Sequence, residues 1–231
     1  TAFIGLHACD LHALNRFYKE FKNNDLLPPR SQLLIVGTDC YPSAECFCDI
    51  TKTNKPDYFD LFLQSEKYDK FSIYTGSARG EKIFKKMKFK HAKTTDLATM
   101  NETGEKRIDF NLLDKIISDR SKEEELWQKL SDNCFGCGAC TAVCPLCFCT
   151  RQDFVNHLDG GCNQCLNWDS CFAKRFSEVQ NRNDMRPVNV DRFYNWYHHK
   201  FVRAPFENGH PLCTGCGRCI TACPAQLNIK N

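Results

Sequence analysis

Apolar residues in the first third of the chain follow two kinds of pattern. Short unbroken runs, Phe3-Ile4-Gly5-Leu6 and Leu33-Leu34-Ile35-Val36-Gly37, suit buried strands. Between them Leu11, Leu14, Tyr18 and Phe21 recur at helical spacing, with Asp10 placed to cap that helix and Pro28-Pro29 following its end. A third run, Phe71-Ser72-Ile73-Tyr74, predicts another strand. A basic helix with Ile83, Phe84 and Met87 on its inner face is expected after it. The order β-α-β followed by β-α predicts a small, mainly parallel sheet.

Beyond residue 95 the apolar positions thin out. Residues 96–131 are polar and charged, with Leu112, Leu113, Ile116, Ile117, Leu126, Trp127 and Leu130 at helical intervals. They predict helices with one solvated face, on which Lys122-Glu123-Glu124-Glu125 reads as surface. Farther on, Phe172, Phe176 and Val179, and then Phe193, Tyr194 and Tyr197, again fall at helical intervals. With Trp196 and Phe201 the second group is expected to form a helical core in preference to a subunit interface.

Composition narrows the possibilities. The chain has 231 residues, enough for a normal core without covalent staples, and 17 cysteines, an odd number that a complete disulfide framework could not use up. A formal net charge of +3 lacks the strong basic bias of a nucleic-acid protein. No apolar stretch approaches the ~18 residues of a membrane span. No basic segment leads into an apolar one of signal-peptide length, so the expected compartment is the cytoplasm, where thiols stay reduced and serve metals or catalysis. The abrupt apolar start at Thr1, with no initiator Met, predicts that N-terminal sequence is missing.

The cysteines carry the chemistry. Cys134, Cys137, Cys140 and Cys144-Pro145 are spaced C-x2-C-x2-C-x3-C-P, and Cys213, Cys216, Cys219 and Cys223-Pro224 repeat that spacing. Two-residue gaps let a curling backbone aim three thiolates at three corners of a cubane. Gly136, Gly138, Gly215 and Gly217 relieve crowding where the backbone closes on it. In proteins with two such motifs the fourth cysteine serves the other cluster. One [4Fe–4S] cluster is therefore expected on Cys134, Cys137, Cys140 and Cys223, and a second on Cys213, Cys216, Cys219 and Cys144. Structural zinc uses paired C-x2-C knuckles and explains this spacing poorly.

Two further groups remain. Cys9, Cys40, Cys46 and Cys48 fall in turns after predicted strands, and neighbouring parallel strands converge on one sheet edge. They are expected to hold a third [4Fe–4S] cluster, the alternative being buried, unligated cysteines. His7 and His12 are ligand alternatives that read better as satisfied or solvent-facing. The Cys147-Phe148-Cys149 triplet echoes Cys46-Phe47-Cys48. With Cys171 it suggests a fourth cluster, completed by Cys165 or Cys162. Zinc on the Cys162-x2-Cys165 pair competes with that reading.

These elements and motifs predict an α+β fold. A small α/β domain spans residues 1–95, a helical connector residues 96–131, and an α-helical ferredoxin domain with two [4Fe–4S] clusters residues 132–231, the last with a helical insert at residues 150–208. The long insert between the two motifs resembles the α-helical ferredoxin domains of respiratory iron–sulfur subunits.

The chain as a whole resembles the iron–sulfur electron-transfer subunits of anaerobic sulfite reductase and of sulfhydrogenase, in the latter the beta subunit. The likeness rests on Cys9-Asp10-Leu11-His12-Ala13, Cys46-Phe47-Cys48 and Cys144-Pro145-Leu146-Cys147-Phe148-Cys149. Farther on it includes Leu158-Asp159-Gly160, Trp168-Asp169-Ser170-Cys171, His199-Lys200-Phe201 and Cys213-Thr214-Gly215-Cys216-Gly217-Arg218-Cys219-Ile220. The Cys162-x2-Cys165 pair and the short N-terminal stretch depart from the family pattern. The resemblance implies electron carriage inside a complex, between a flavin- or NAD(P)H-oxidising subunit and a hydrogenase- or reductase-type catalytic subunit.

The chain shows no glycine-rich dinucleotide fingerprint and no recognisable catalytic triad or carboxylate pair. The expected function is a non-catalytic subunit that passes single electrons along three or four clusters. Lys200 and Arg218 are expected as solvated surface charges, with a role in tuning cluster potentials as the alternative. Two other readings are a redox enzyme whose irregular Cys147/Cys149/Cys171 cluster binds substrate, and a zinc-binding structural module.

Overall fold

The computed structural model describes residues 1–21, 27–66, 70–87 and 110–230. Residues 96–109 of the expected connector lie outside them. The chain divides into two compact units, Thr1–Ile108 with Cys213–Gly217, and Asp109–Leu212 with Arg218–Asn231. The α+β class is as expected. The segment Cys213–Gly217 differs from the expected division, because its main chain hydrogen-bonds into the first unit.

The first unit holds a four-stranded sheet in the order β1 (Ala2–Leu6), β2 (Leu34–Thr38), β3 (Leu61–Ser65) and β4 (Phe71–Thr75). The pairs β1/β2 and β2/β3 are parallel, and β3/β4 is antiparallel. Strand β3 is missing from the sequence reading. Its apolar run Leu61-Phe62-Leu63 is short and follows Asp60, a polar residue that nonetheless lies in the core at 1 % exposure. Asp60 is held there by donors: Ile35 N at 2.8 Å, Ser77 Oγ at 2.6 Å and Arg30 Nη1 at 3.2 Å. Helix α1 (Ala8–Glu20) covers one face of the sheet, and Leu11, Leu33, Ile35, Phe59 and Phe62 form the core. The helix starts three residues earlier than expected. His7 is its N-cap, and Asp10, in the first turn, accepts from His7 N at 3.2 Å. Helix α2 (Ala78–Lys86) follows β4, with Ile83 and Phe84 half-buried, whereas Met87 is exposed and not on the inner face.

The second unit is built on helices α3 (Phe110–Ser118), α4 (Glu124–Asp132), α5 (Ala139–Ala142), α6 (Asn189–His198), α7 (Ala204–Asn208) and α8 (Arg218–Thr221). A π-helical turn, His199–Arg203, joins α6 to α7. Trp127 of α4 stacks on Phe193, Tyr194 and Tyr197 of α6 at centroid distances of 6.4, 5.1 and 5.6 Å. Tyr194 donates to Ile117 O at 2.7 Å, tying α3 to the same group. The aromatic cluster is core, as expected: Phe193, Trp196 and Phe201 are buried.

The insert is not wholly helical. Residues 150–168 form a regular antiparallel hairpin, β5 (Thr150–Asn156) with β6 (Cys162–Trp168). Its turn is His157-Leu158-Asp159-Gly160-Gly161, in which Gly161 N donates to Asp159 Oδ1. Phe172, Phe176 and Val179 do not share a helix either; only a 3-10 turn, Lys174–Ser177, occurs there.

Candidate metal centres

In the second unit the first ferredoxin motif curls around a cavity. Cys134, Cys137 and Cys140 line it together with Cys219 and Cys223, and Phe135, Phe172, Phe193, Trp196, Tyr197, Pro224, Leu227 and Ile229 supply most of the rest. Asn189, at the start of α6, fixes the motif's first turn by donating to Cys134 O at 2.8 Å. Gly136 N faces Cys134 Sγ at 3.4 Å, so a backbone donor is already aimed at sulfur. Burial, and then the neighbouring Cys134 thiol, push Cys140 up to about 12. The buried Tyr197 phenol is raised by burial and then by the charges of Cys219, Cys140, Cys134 and Cys223, which line the same cavity. Among the described residues no three His, Cys, Asp or Glu side chains converge as a single metal ion requires. The thiols surround a space instead of meeting at a point. A soft, all-sulfur donor set spread around an apolar cavity fits a polynuclear iron–sulfur group.

A second collection of thiols lies nearby in the same unit. Cys147 draws the Cys144 thiol well below its ordinary range, and Cys171 lowers that of Cys149. Cys171 also feels the charges of Cys149, Cys147 and Cys140. The Trp-Asp-Ser-Cys stretch builds this arrangement. Asp169 N donates to Cys149 O at 2.8 Å, and Ser170 Oγ lies 2.8 Å from Thr141 Oγ1, next to Cys140. The neighbouring Cys171 brings Cys149 down to about 7. Lys200, expected on the surface, is 3 % exposed, and its ammonium lies 3.3 Å from Cys144 Sγ.

The hairpin sets the expected fourth ligand apart from the hairpin's own base. Cys165 pairs with Asp153, three residues up the strand from Trp168, which puts it ~10 Å from the hairpin base beside Cys149. Cys162 is farther still, at the turn, and exposed. Three-residue spacing on a strand points Cys162 and Cys165 to opposite faces, so they do not share a zinc ion as a pair.

In the first unit Cys9 lies in the first turn of α1, and Cys40 follows β2, at the edge where β1 and β2 end. Cys48 is pushed up to about 11 by burial and then by Cys46 and Cys40. Cys40 is raised by burial and then by Cys46, Asp39 and Asp10. Three of the four thiols therefore sense one another, and Cys9 adjoins Asp10. Both histidines weighed as ligands are otherwise engaged: His7 caps α1, and the His12 ring nitrogen meets Lys55 O at 2.8 Å.

The loop Cys213–Gly217 sits in the same unit. Arg16 Nη1 donates to Cys213 O at 2.9 Å, Thr53 Oγ1 to Thr214 O at 2.6 Å, and Phe47 N to Gly215 O at 2.7 Å. Cys46 Sγ lies 3.6 Å from Cys216 O. Gly215 N faces Cys213 Sγ at 3.4 Å, repeating the geometry of Gly136 and Cys134. These long-range partners leave no local signal in the sequence.

Residues 133–227 match the family model of the 4Fe-4S dicluster domain. Over 241 aligned positions the chain is 32 % identical to sulfhydrogenase 2 subunit beta of Pyrococcus furiosus, an alignment that takes in 96 % of this chain and 70 % of that one. No solved structure matches the chain. The dicluster match means at least two [4Fe–4S] clusters. The chain belongs to the family of iron–sulfur electron-transfer subunits that includes this sulfhydrogenase subunit.

Proposed function

We propose that the chain passes single electrons through three or four [4Fe–4S] sites inside a multi-subunit redox complex of the hydrogenase or sulfite reductase type. The observation that carries this is the second unit's cavity, where Cys134, Cys137, Cys140 and Cys223 line a nearly all-apolar space. These four thiolates would hold one cluster. Motif spacing gives Cys213, Cys216, Cys219 and Cys144 the second, and Cys9, Cys40, Cys46 and Cys48 supply thiols for a third.

Bound clusters supply reversible one-electron chemistry at potentials set by net charge, hydrogen bonds to sulfur and exposure. The chain supplies the rest. Phe172, Phe193 and Trp196 keep water from the first cavity, while Gly136 N and Gly215 N donate toward ligand sulfurs. The relative is itself a subunit by name, which supports a partner subunit here; the proposed partner is of the flavin- or NAD(P)H-type or of the hydrogenase- or reductase-type. Among the described residues no helix is long and apolar enough to cross a membrane.

Iron and sulfide analysis of anaerobically purified protein tests this. About 12–16 Fe per chain is expected, at 4 per cluster. Zinc without iron overturns it.

One observation favours a second reading. With Cys165 up the hairpin, Cys147, Cys149 and Cys171 form a three-thiol set, suited to a cluster with one iron open to a small ligand. A paramagnetic spectrum that changes when sulfite is added would support it, and a spectrum indifferent to added ligands would exclude it.

A further inference from the structure

Lys200 is a long, charged side chain in a place where water cannot solvate it. Its relative exposure is 3 %, and the stem leads inward from the π-helical turn His199–Arg203. Such a turn widens the helix by one residue and is found mostly at functional sites. The ammonium has three kinds of neighbour. Cys144 Sγ lies at 3.3 Å, Leu212 O accepts at 3.0 Å, and the Trp196 ring centroid lies 5.3 Å away. Leu212 N returns a bond to Lys200 O at 3.0 Å, so the turn is fixed from both sides. The Lys200 charge also reaches Cys140, Cys147 and Cys149.

Burying an ammonium is strongly unfavourable unless an anion and matched acceptors replace its water. A carbonyl and an indole face do part of that. Thiolate sulfur completes it, and the cysteines around Lys200 must be thiolates when they bind iron. The cation and the ligand sulfurs therefore stabilise each other, and they do so away from solvent screening.

We propose that Lys200 is a positioning and tuning residue for the iron–sulfur site that Cys144 serves, holding that site's potential above the value the same thiolates would give alone. This rests on the reading of the chain as a cluster-bearing subunit. The sign follows from charge. A site that accepts one electron gains one negative charge, and a fixed positive charge beside it favours the more negative, reduced state. The short distance to Cys144, with burial, makes the effect local, so other sites move less.

The experiment is a redox titration followed by electron paramagnetic resonance on anaerobically purified full-length protein, with iron counted in parallel. Lys200→Met keeps most of the stem that packs on Trp196 and removes the charge. One signal is expected to shift to lower potential with iron per chain unchanged, and Lys200→Arg is expected to leave that signal near its wild-type position. Unchanged potentials in Lys200→Met at full iron content overturn the proposal. If Lys200→Met loses iron, Lys200→Arg decides: full iron with wild-type potentials supports a charge role, and loss of iron in both variants overturns it in favour of packing alone. Wild-type protein that contains no iron would instead defeat the underlying functional reading, so the two failures are distinct.

Discussion

Asp60 shows what a single side chain can do that no pattern announces. Its carboxylate is buried, yet it is held below the usual range: burial alone would raise it, and hydrogen bonds from Ser77, Arg30 and Ile35 prevail. It joins β2, β3 and the start of α2, so Asp60→Asn should destabilise the first unit by about 2–3 kcal/mol. The pH dependence has a definite sign. A carboxylate whose folded value is depressed stabilises fully above its unfolded value and loses that contribution as pH falls through the folded one. Urea unfolding of wild type and Asp60→Asn should therefore differ most near neutral pH and converge below about pH 4. A gap that stays constant into acid would show that the carboxylate's charge is not the source. The ligand cysteines are the opposite case, readable at residue scale because cluster geometry imposes fixed spacing on neighbours in sequence. The burial of Lys200 was not readable, since nothing local distinguishes a buried lysine from a solvated one.

At the scale of elements, strands β1, β2 and β4 and helices α1, α2 and α6 were legible from periodicity. Strand β3 was hidden by Asp60, and the hairpin by its mixed composition. Thr150–Asn156 and Cys162–Trp168 contain few apolar residues, and both strands are largely solvated, so no clean alternation marks them. The hairpin is what separates Cys162 and Cys165 from the thiols at its base. Cys162→Ser and Cys165→Ser should each leave iron content unchanged, whereas Cys171→Ser should lose about 4 Fe per chain. Iron analysis of the three variants checks this, and iron loss in Cys165→Ser would mean that the hairpin folds back on its base. The α4–α6 contact belongs to the same scale. Trp127→Ala removes a ring that is 3 % exposed and should cost about 3–5 kcal/mol in thermal or urea unfolding.

The whole molecule interleaves its chain in a way that local patterns do not record. The two ferredoxin motifs look equivalent in sequence, but Cys213–Gly217 is grouped with the first 108 residues by bonds such as Thr53 to Thr214, 161 residues apart. Gly215 makes that docking possible. Its φ is +62°, and a Cβ placed on it would lie 2.4 Å from Phe47 O, in the same residue whose N–H donates to Gly215 O. An alanine there meets a left-handed backbone and a rigid neighbour together, and neither can relax without breaking the Phe47 bond. Gly215→Ala should therefore cost about 2–4 kcal/mol and reduce the iron bound through Cys213 and Cys216 by about 4 Fe per chain, leaving the first motif's cluster in place. Gly209→Ala is the matched control, because that glycine also has positive φ, +73°, but open space around its Cβ position. It should carry only the smaller backbone cost, about 1 kcal/mol, and keep full iron. Iron content and melting of the two variants side by side separate the close approach from the dihedral angle. Equal losses in both would show that backbone conformation alone is responsible, and that the Phe47 contact does not hold the second motif in the first unit.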